Sequence, residues 1–247
     1  MTLTQYGSHE FVHFEKMNPG CNQLIERTPK NEYEFFEKNL KLVSISKNQI
    51  LFDTHQLSSH IYYPVGAIVS MIADLPSGCM VETHLLGRCS MVGTYEKGIP
   101  SFYQAKVRHS GLAYRMDTPL WQKAMTECPV YAQHSRDAIH RILMQLSMSV
   151  ICSKKHSIDQ QLIRWILLTL DNSLSSSIAI THQELSDLLG FRREAVSLTM
   201  NKFSDMGVIE KYRGEFNVVD RAKLEMASCD CYWIGSGKIR TNRPFGT

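Results

Sequence analysis

Apolar and polar positions change texture twice along the chain. From Leu42 to about Met116, short β-rich runs alternate with turn residues. The runs are Ile50–Phe52, Ile61–Tyr63, Ala67–Ala73, Met80–Leu86, Phe102–Val107 and Leu112–Met116. Breaks fall at Pro64-Val65-Gly66, Pro76-Ser77-Gly78, Gly87, Gly98-Ile99-Pro100 and Gly111. Closely spaced short strands with this punctuation predict a β-sandwich or barrel. Ahead of them, Tyr33, Phe35, Phe36 and Leu40 predict a short helix between Leu24 and Leu42. Past Asp117 the period becomes helical. Pro119 suits the first turn of a helix to about Glu127, and Pro129 starts another that runs to about Lys155. On that long helix Ala138, Ile142, Leu146 and Val150 share a face, with Ile139, Leu143 and Ile151 beside it. Such a stripe can be buried against its own domain or against a second copy of the chain. A further helix from about Ser157 to Leu170 turns Ile158, Leu162, Trp165 and Ile166 inward, and Asn172 to Ser177 reads as a polar linker.

The stretch from Ile180 to Val219 is the most informative. Thr181 and Glu184 have capping-box spacing, so a helix should start at His182. Leu185, Leu188 and Leu189 give it an apolar stripe, and Gly190 is placed to end it in the left-handed conformation. A second helix begins near Arg192 and runs to about Met206, burying Ala195, Val196, Met200 and Phe203. Gly207 ends it in the same way. Val208–Tyr212 and Glu215–Val219 then form a hairpin around Arg213-Gly214. The outline is a winged helix-turn-helix.

The first turn of that second helix carries Arg192, Arg193 and Glu194, with Ser197 one turn on. Arginine can donate two hydrogen bonds to guanine, glutamate can accept from cytosine, and serine is permissive. Lys202, Lys211 and Arg213 could reach phosphates. The plain alternative is an amphipathic helix pair with a solvated charged face.

Composition narrows the class without naming the function. With 43% hydrophobic and 21% charged residues the chain is of ordinary globular type. A formal charge of +3 supplies no overall basic field, so any polyanion contact must be local. The longest apolar candidate, Trp165 to Leu170, is far too short to span a bilayer. The polar N-terminus has no signal-peptide core, which predicts a cytoplasmic protein without a membrane partner. Seven scattered cysteines suggest reduced thiols rather than a disulfide framework.

The stretch resembles the DNA-binding domain of the Crp/Fnr family of bacterial regulators. The matching words are T-H-Q-E-L-x-x-L-L-G, R-R-E-A-V-S, G-V-I-E, R-G and V-V-D-R, with Cys229-Asp230-Cys231-Tyr232 resembling the C-terminal end of many members. A looser resemblance to the family's β-roll sensor rests on Ile61-Tyr62-Tyr63-Pro64, Gly66 to Ser70, Gly87-Arg88 and Met91-Val92-Gly93. It implies an α+β chain: an N-terminal β-roll of the cyclic-nucleotide-binding jelly-roll type, a long dimerisation helix and a C-terminal winged helix-turn-helix. The expected divisions are a disordered leader 1–20, the sensor 21–128, the dimerisation helix 129–155, the DNA-binding domain 156–233 and a flexible tail 234–247. The implied partners are double-stranded DNA, a second copy of the chain and RNA polymerase. Carried over by position, Arg193 and Glu194 meet bases, with Arg192, Ser197 and Leu198 near them. Thr181, His182 and Gln183 meet phosphate, as do Lys202, Lys211 and Arg213. Ala138, Ile139, Ile142, Leu143, Leu146 and Val150 form the dimer interface. Leu198 departs from the family, in which several members have an arginine, and a thymine methyl would suit it.

The cyclic-AMP-binding members hold ribose with a Gly-Glu pair and phosphate with a later Arg-Ser pair. Here Thr94 stands in the place of that glutamate, and Tyr103-Gln104 stand ahead of Ala105 where Arg-Ser would be. Arg108 is close in sequence but does not restore the pair. Cyclic AMP is therefore not expected to bind well, no cofactor or metal is expected, and the effector stays unidentified. Cys21 alone near the N-terminus does not make an iron–sulfur ligand set. Cys79 and Cys89 could form a redox pair, though buried free cysteine is the commoner fate. Cys229 and Cys231 are too close for an easy disulfide and lack two local partner ligands for zinc. His55, His60, His84 and His109 leave a haem ligand open. Two other readings of the chain remain: a β-roll ligand-binding module that does not read DNA, and a cupin-like metal enzyme. The enzyme wants an H-x-H pair near a glutamate, and His84 follows Glu82 without a second histidine two residues away. No P-loop, G-x-S-x-G or H-E-x-x-H motif is present, so no enzymatic activity is expected.

Overall fold

A computed structural model describes residues 22–74, 80–93, 98–173 and 175–237. Two short helices open it, α1 (Gln23–Glu26) and α2 (Lys30–Asn39), where one helix was expected. Seven strands follow: β1 (Lys41–Ile45), β2 (Ile50–Phe52), β3 (His60–Pro64), β4 (Ile68–Asp74), β5 (Met80–Leu86), β6 (Tyr103–His109) and β7 (Gly111–Asp117). They form two antiparallel sheets, ordered β1-β7-β3 and β2-β6-β4-β5. Pro64 lies at the last position of β3 rather than breaking it, where its missing N–H does little harm to the ladder. Ile45, Phe52, Tyr62, Met71, Leu86 and Val107 join the two sheets in one buried cluster.

Helices α3 (Thr118–Glu127) and α4 (Pro129–Lys155) pack with α1 and α2 over Ile61, Tyr63, Tyr114 and Met116 of β3 and β7. The first turn of α4 has no side-chain cap of its own. Glu32 of α2 fills that role from ninety-eight residues away, accepting from Val130 N–H at 3.0 Å and Tyr131 N–H at 2.8 Å. A carboxylate there meets the unpaired N–H groups and the positive end of the helix dipole.

Helix α5 (Ile158–Asn172) starts on a capping box between Ser157 and Gln160. After it come β8 (Ser177–Ile178), α6 (His182–Leu189), α7 (Arg193–Asp205), β9 (Ile209–Tyr212), β10 (Glu215–Val218), α8 (Arg221–Ala227) and α9 (Asp230–Ser236). The expected polar linker, Asn172 to Ser177, runs into a strand at Ser177, because β8 adds to β10 and makes a three-stranded wing ordered β8-β10-β9. Leu162, Ile166, Leu185, Val196, Met200, Phe203, Phe216 and Tyr232 form the core of this unit. Ile68 and Leu85 of the sandwich belong to the same cluster, so the two units share buried apolar surface.

Residues 234–237 of the expected tail belong to the end of α9, which runs to Ser236 and ends on Gly237 at φ +68°, and the rest of it lies outside the described residues. Gly235 is held against Met148 of α4. The expected leader lies outside the described residues, as do Cys21, Cys79 and Thr94. Among the described residues no helix is long and apolar enough to cross a membrane.

Candidate nucleic-acid interface

The helix-turn-helix is set by local chemistry. Thr181 Oγ1 accepts from the Glu184 N–H at 3.1 Å, and Glu184 Oε2 accepts from the Thr181 N–H at 2.8 Å. Gly190 ends α6 at φ +70°, a left-handed turn that favours glycine. Helix α7 then starts from Arg192, with no side chain capping its first turn. Arg192, Arg193 and Glu194 at that start are all exposed. None of the two arginines or Arg213 has an ion-pair partner among the described residues. Leu198 is 71% exposed one turn on.

Ser197 is half-buried and sits 3.0 Å from Nδ1 of His182. This contact ties the start of α6 to the exposed face of α7. Partial burial, with Lys211 and Arg193 nearby, lowers the His182 pKa below its ordinary value. Gln183 is exposed and donates to Asp187. Lys211 on the wing donates to Asn201 on α7, and Arg213 stands exposed in the turn beside Gly214 at φ +79°. Arg192, Arg193, Glu194, Ser197 and Leu198 therefore share one surface, with Thr181, His182 and Gln183 on one side and the wing residues on another.

Lys202 departs from its expected place. It forms an ion pair with Asp159 at the start of α5, where Thr199 also donates to the same carboxylate. Lys202 thus braces α7 on its scaffold. Sequence reading also missed Lys47, on the loop between β1 and β2. Its ammonium lies 3.4 Å from Glu184 and donates to the Ala179 carbonyl at 3.2 Å. Burial opposes ionisation of Glu184, but the Thr181 N–H and Lys47 hold its carboxyl below the usual value. No local pattern links Lys47 to a helix 137 residues later.

The expected dimer stripe on α4 divides. Ala138 and Ile142 are buried in their own chain, Ala138 among the helices over β3 and β7 and Ile142 in the core between the sheets. Ile139 and Leu146 are partly covered by the same clusters. Leu143 and Val150 stay exposed at 55% and 62%, and Ile151 is exposed beside them. The apolar edge left on α4 is thus the Leu143 side, because the sandwich already occupies the Ala138–Ile142 side.

The residues tested for nucleotide anchoring have other partners. Gln104 donates to Asp53 at 3.0 Å, and Tyr103 meets His84 edge-on at 5.4 Å. Arg108 turns to Ser70 and Glu184. Between β5 and helices α4 and α5 lies a cleft of about 330 Å³ lined by Glu82, His84, Gln145, Ser149, Arg164 and Trp165. Trp165 Nε1 donates to Glu82 at 2.7 Å across it, and Ser70 donates to the other carboxylate oxygen.

Residues 160–227 match the Crp-like helix-turn-helix domain family. No curated protein matches the sequence. Among solved structures, FixK2 from Bradyrhizobium japonicum superposes with a TM-score of 0.64 at 14% identity, covering 77% of this chain and 98% of its own. A CRP-family transcriptional regulator from Thermus thermophilus gives 0.61 at 16% identity, over 74% of this chain and 95% of its own. The global regulator CLP of Xanthomonas campestris gives 0.59 at 14% identity, over 78% and 100%. Residues 160–227 thus form a Crp-like helix-turn-helix domain, a DNA-binding module, and the chain carries it on the fold of the Crp/Fnr-type transcription regulators.

Proposed function

We propose that the chain is a sequence-specific transcription regulator that binds a pseudo-palindromic DNA site as a homodimer. Arg193 and Glu194 read base edges in the major groove, with Arg192, Ser197 and Leu198 completing that surface. Thr181, His182 and Gln183 contact phosphate through the open end of α6, and Lys211 and Arg213 do so from the wing. Lys202 keeps its bond to Asp159 and positions α7. The single observation that carries this reading is the exposed, uncapped start of α7, where Arg192, Arg193 and Glu194 have no side-chain cap or ion pair among the described residues.

A dimer would seat its two α7 helices in successive major grooves about 34 Å apart. The apolar edge of Leu143, Val150 and Ile151 supports a second copy as the occupant of that side of α4. RNA polymerase is the partner through which such a regulator acts. The altered anchors argue that control does not run through cyclic AMP. Arg193→Ala tests the reading. It should weaken specific binding by about 1–3 kcal/mol and relax preference at one base pair. An equal loss on random DNA would reduce Arg193 to a phosphate contact.

A further inference from the structure

Helix α9 returns the end of the chain to the last turn of α4, and four metal-ligating side chains meet there. Cys152 lies in the last turn of α4, His156 is the extended residue that ends that helix, and Cys229 and Cys231 flank the start of α9. The four ligand atoms all lie within 4.8 Å of one another. Cys152 and Cys229 sulfurs are 3.8 Å apart, and Cys231 sulfur is 3.6 Å from His156 Nδ1. The two local partners that Cys229 and Cys231 lack in sequence are thus supplied from 77 residues away, and the expectation that the chain holds no metal site is revised here.

We propose that Cys152, His156, Cys229 and Cys231 form a tetrahedral zinc site that fastens the C-terminal helix to the long helix α4. Zinc takes sulfur at about 2.3 Å and imidazole nitrogen at about 2.0–2.1 Å, so a regular tetrahedron has S···S edges of about 3.75 Å and S···N edges of about 3.6 Å. The Cys152–Cys229 and Cys231–His156 separations match those edges. Three cysteines and one histidine form a familiar closed structural set for zinc. All three cysteines are buried, and His156 is half-buried. Loading releases the thiol protons to solvent and leaves three thiolates, one neutral imidazole and one dication, with a net charge of −1. Arg164 supplies the balancing charge. Its half-buried guanidinium interacts electrostatically with all three sulfurs and donates to Ser149 and the Gln145 carbonyl. Its Nε has no hydrogen-bond partner among the described residues.

The site would tie the DNA-binding unit to the helix proposed to pair two chains. Metal loss or thiol oxidation would then free α9 from Met148 and loosen that joint. The test uses the full chain, purified anaerobically with reductant, incubated with zinc sulfate and then desalted. About one zinc per chain should remain by elemental mass spectrometry, and cobalt(II) in its place should give the intense visible bands of a tetrahedral thiolate site. Cys231→Ser and the milder, half-exposed His156→Ala should each weaken cobalt affinity on the order of tenfold or more. Cys89→Ser should leave it unchanged. Weak octahedral cobalt bands, zinc that washes off the reduced wild type, or affinity indifferent to His156→Ala would each overturn the site. So would a Cys152–Cys229 disulfide found by mass in the freshly isolated protein.

Discussion

Nδ1 of His182 lies 3.0 Å from Oγ of Ser197, so the residue after the α6 cap and a residue on the reading face of α7 act as one unit. His182→Ala and Ser197→Ala should each weaken DNA binding. Because the two share a hydrogen bond, the double variant should lose less than the sum, with a coupling of about 0.5–1 kcal/mol. Strictly additive losses in a binding titration at fixed salt would show that the contact does not persist on DNA.

The exposed edge of α4 makes a second prediction. Leu143 and Val150 are 55% and 62% exposed, so replacing both by glutamate should leave the monomer folded. Light scattering should show the variant shifting from dimer to monomer at micromolar concentration. Affinity for a two-half-site DNA should fall more than about tenfold, while a single half-site changes little. A variant that stays dimeric would move the interface elsewhere.

Burial on β5 holds the His84 ring at a pKa of about 4, against about 6.5 in an unfolded chain. Between those values the unfolded chain binds a proton that the folded chain refuses. Stability is therefore full above about pH 6.5 and falls as pH drops towards 4, by at most about 3 kcal/mol. Glu82, facing the same cleft, has the opposite sign. Burial raises its carboxyl pKa despite Ser70, Arg108 and Trp165, so its contribution declines as pH climbs from the ordinary glutamate value through the raised one. His84→Gln removes only the first effect. Urea unfolding of the variant should thus lose less stability than wild type between pH 7 and 4.5, and parallel curves would contradict the assignment.

The helix-turn-helix was legible because its determinants are local. The Thr181-x-x-Glu184 box, Gly190 at positive φ and the leucine stripe each act within a few residues. Pro129 and the i, i+4 pattern likewise mark α4. Strand β1 was harder to see, because Lys41 and Ser44 give it little apolar alternation and its state comes from pairing with β7. Strand β8 has only two residues and exists because Phe216 and Asn217 pair with it. The burial of Ala138 and Ile142, the bond from Lys202 to Asp159 and the meeting of Cys152 with Cys229 are tertiary. Residue types alone show that such side chains can pack, pair or ligate, and the fold decides with what.

The central claim is that α7 reads DNA in two copies. Its most direct test is selection of bound fragments from random duplex DNA by the purified wild-type chain at a stated salt concentration, beside Arg193→Ala. A pseudo-palindrome with half-sites one helical turn apart, sharp for wild type and degenerate at one position per half-site for the variant, is the predicted result. Fragments without a common motif from the zinc-loaded, reduced protein, or one unchanged motif for both proteins, would contradict it.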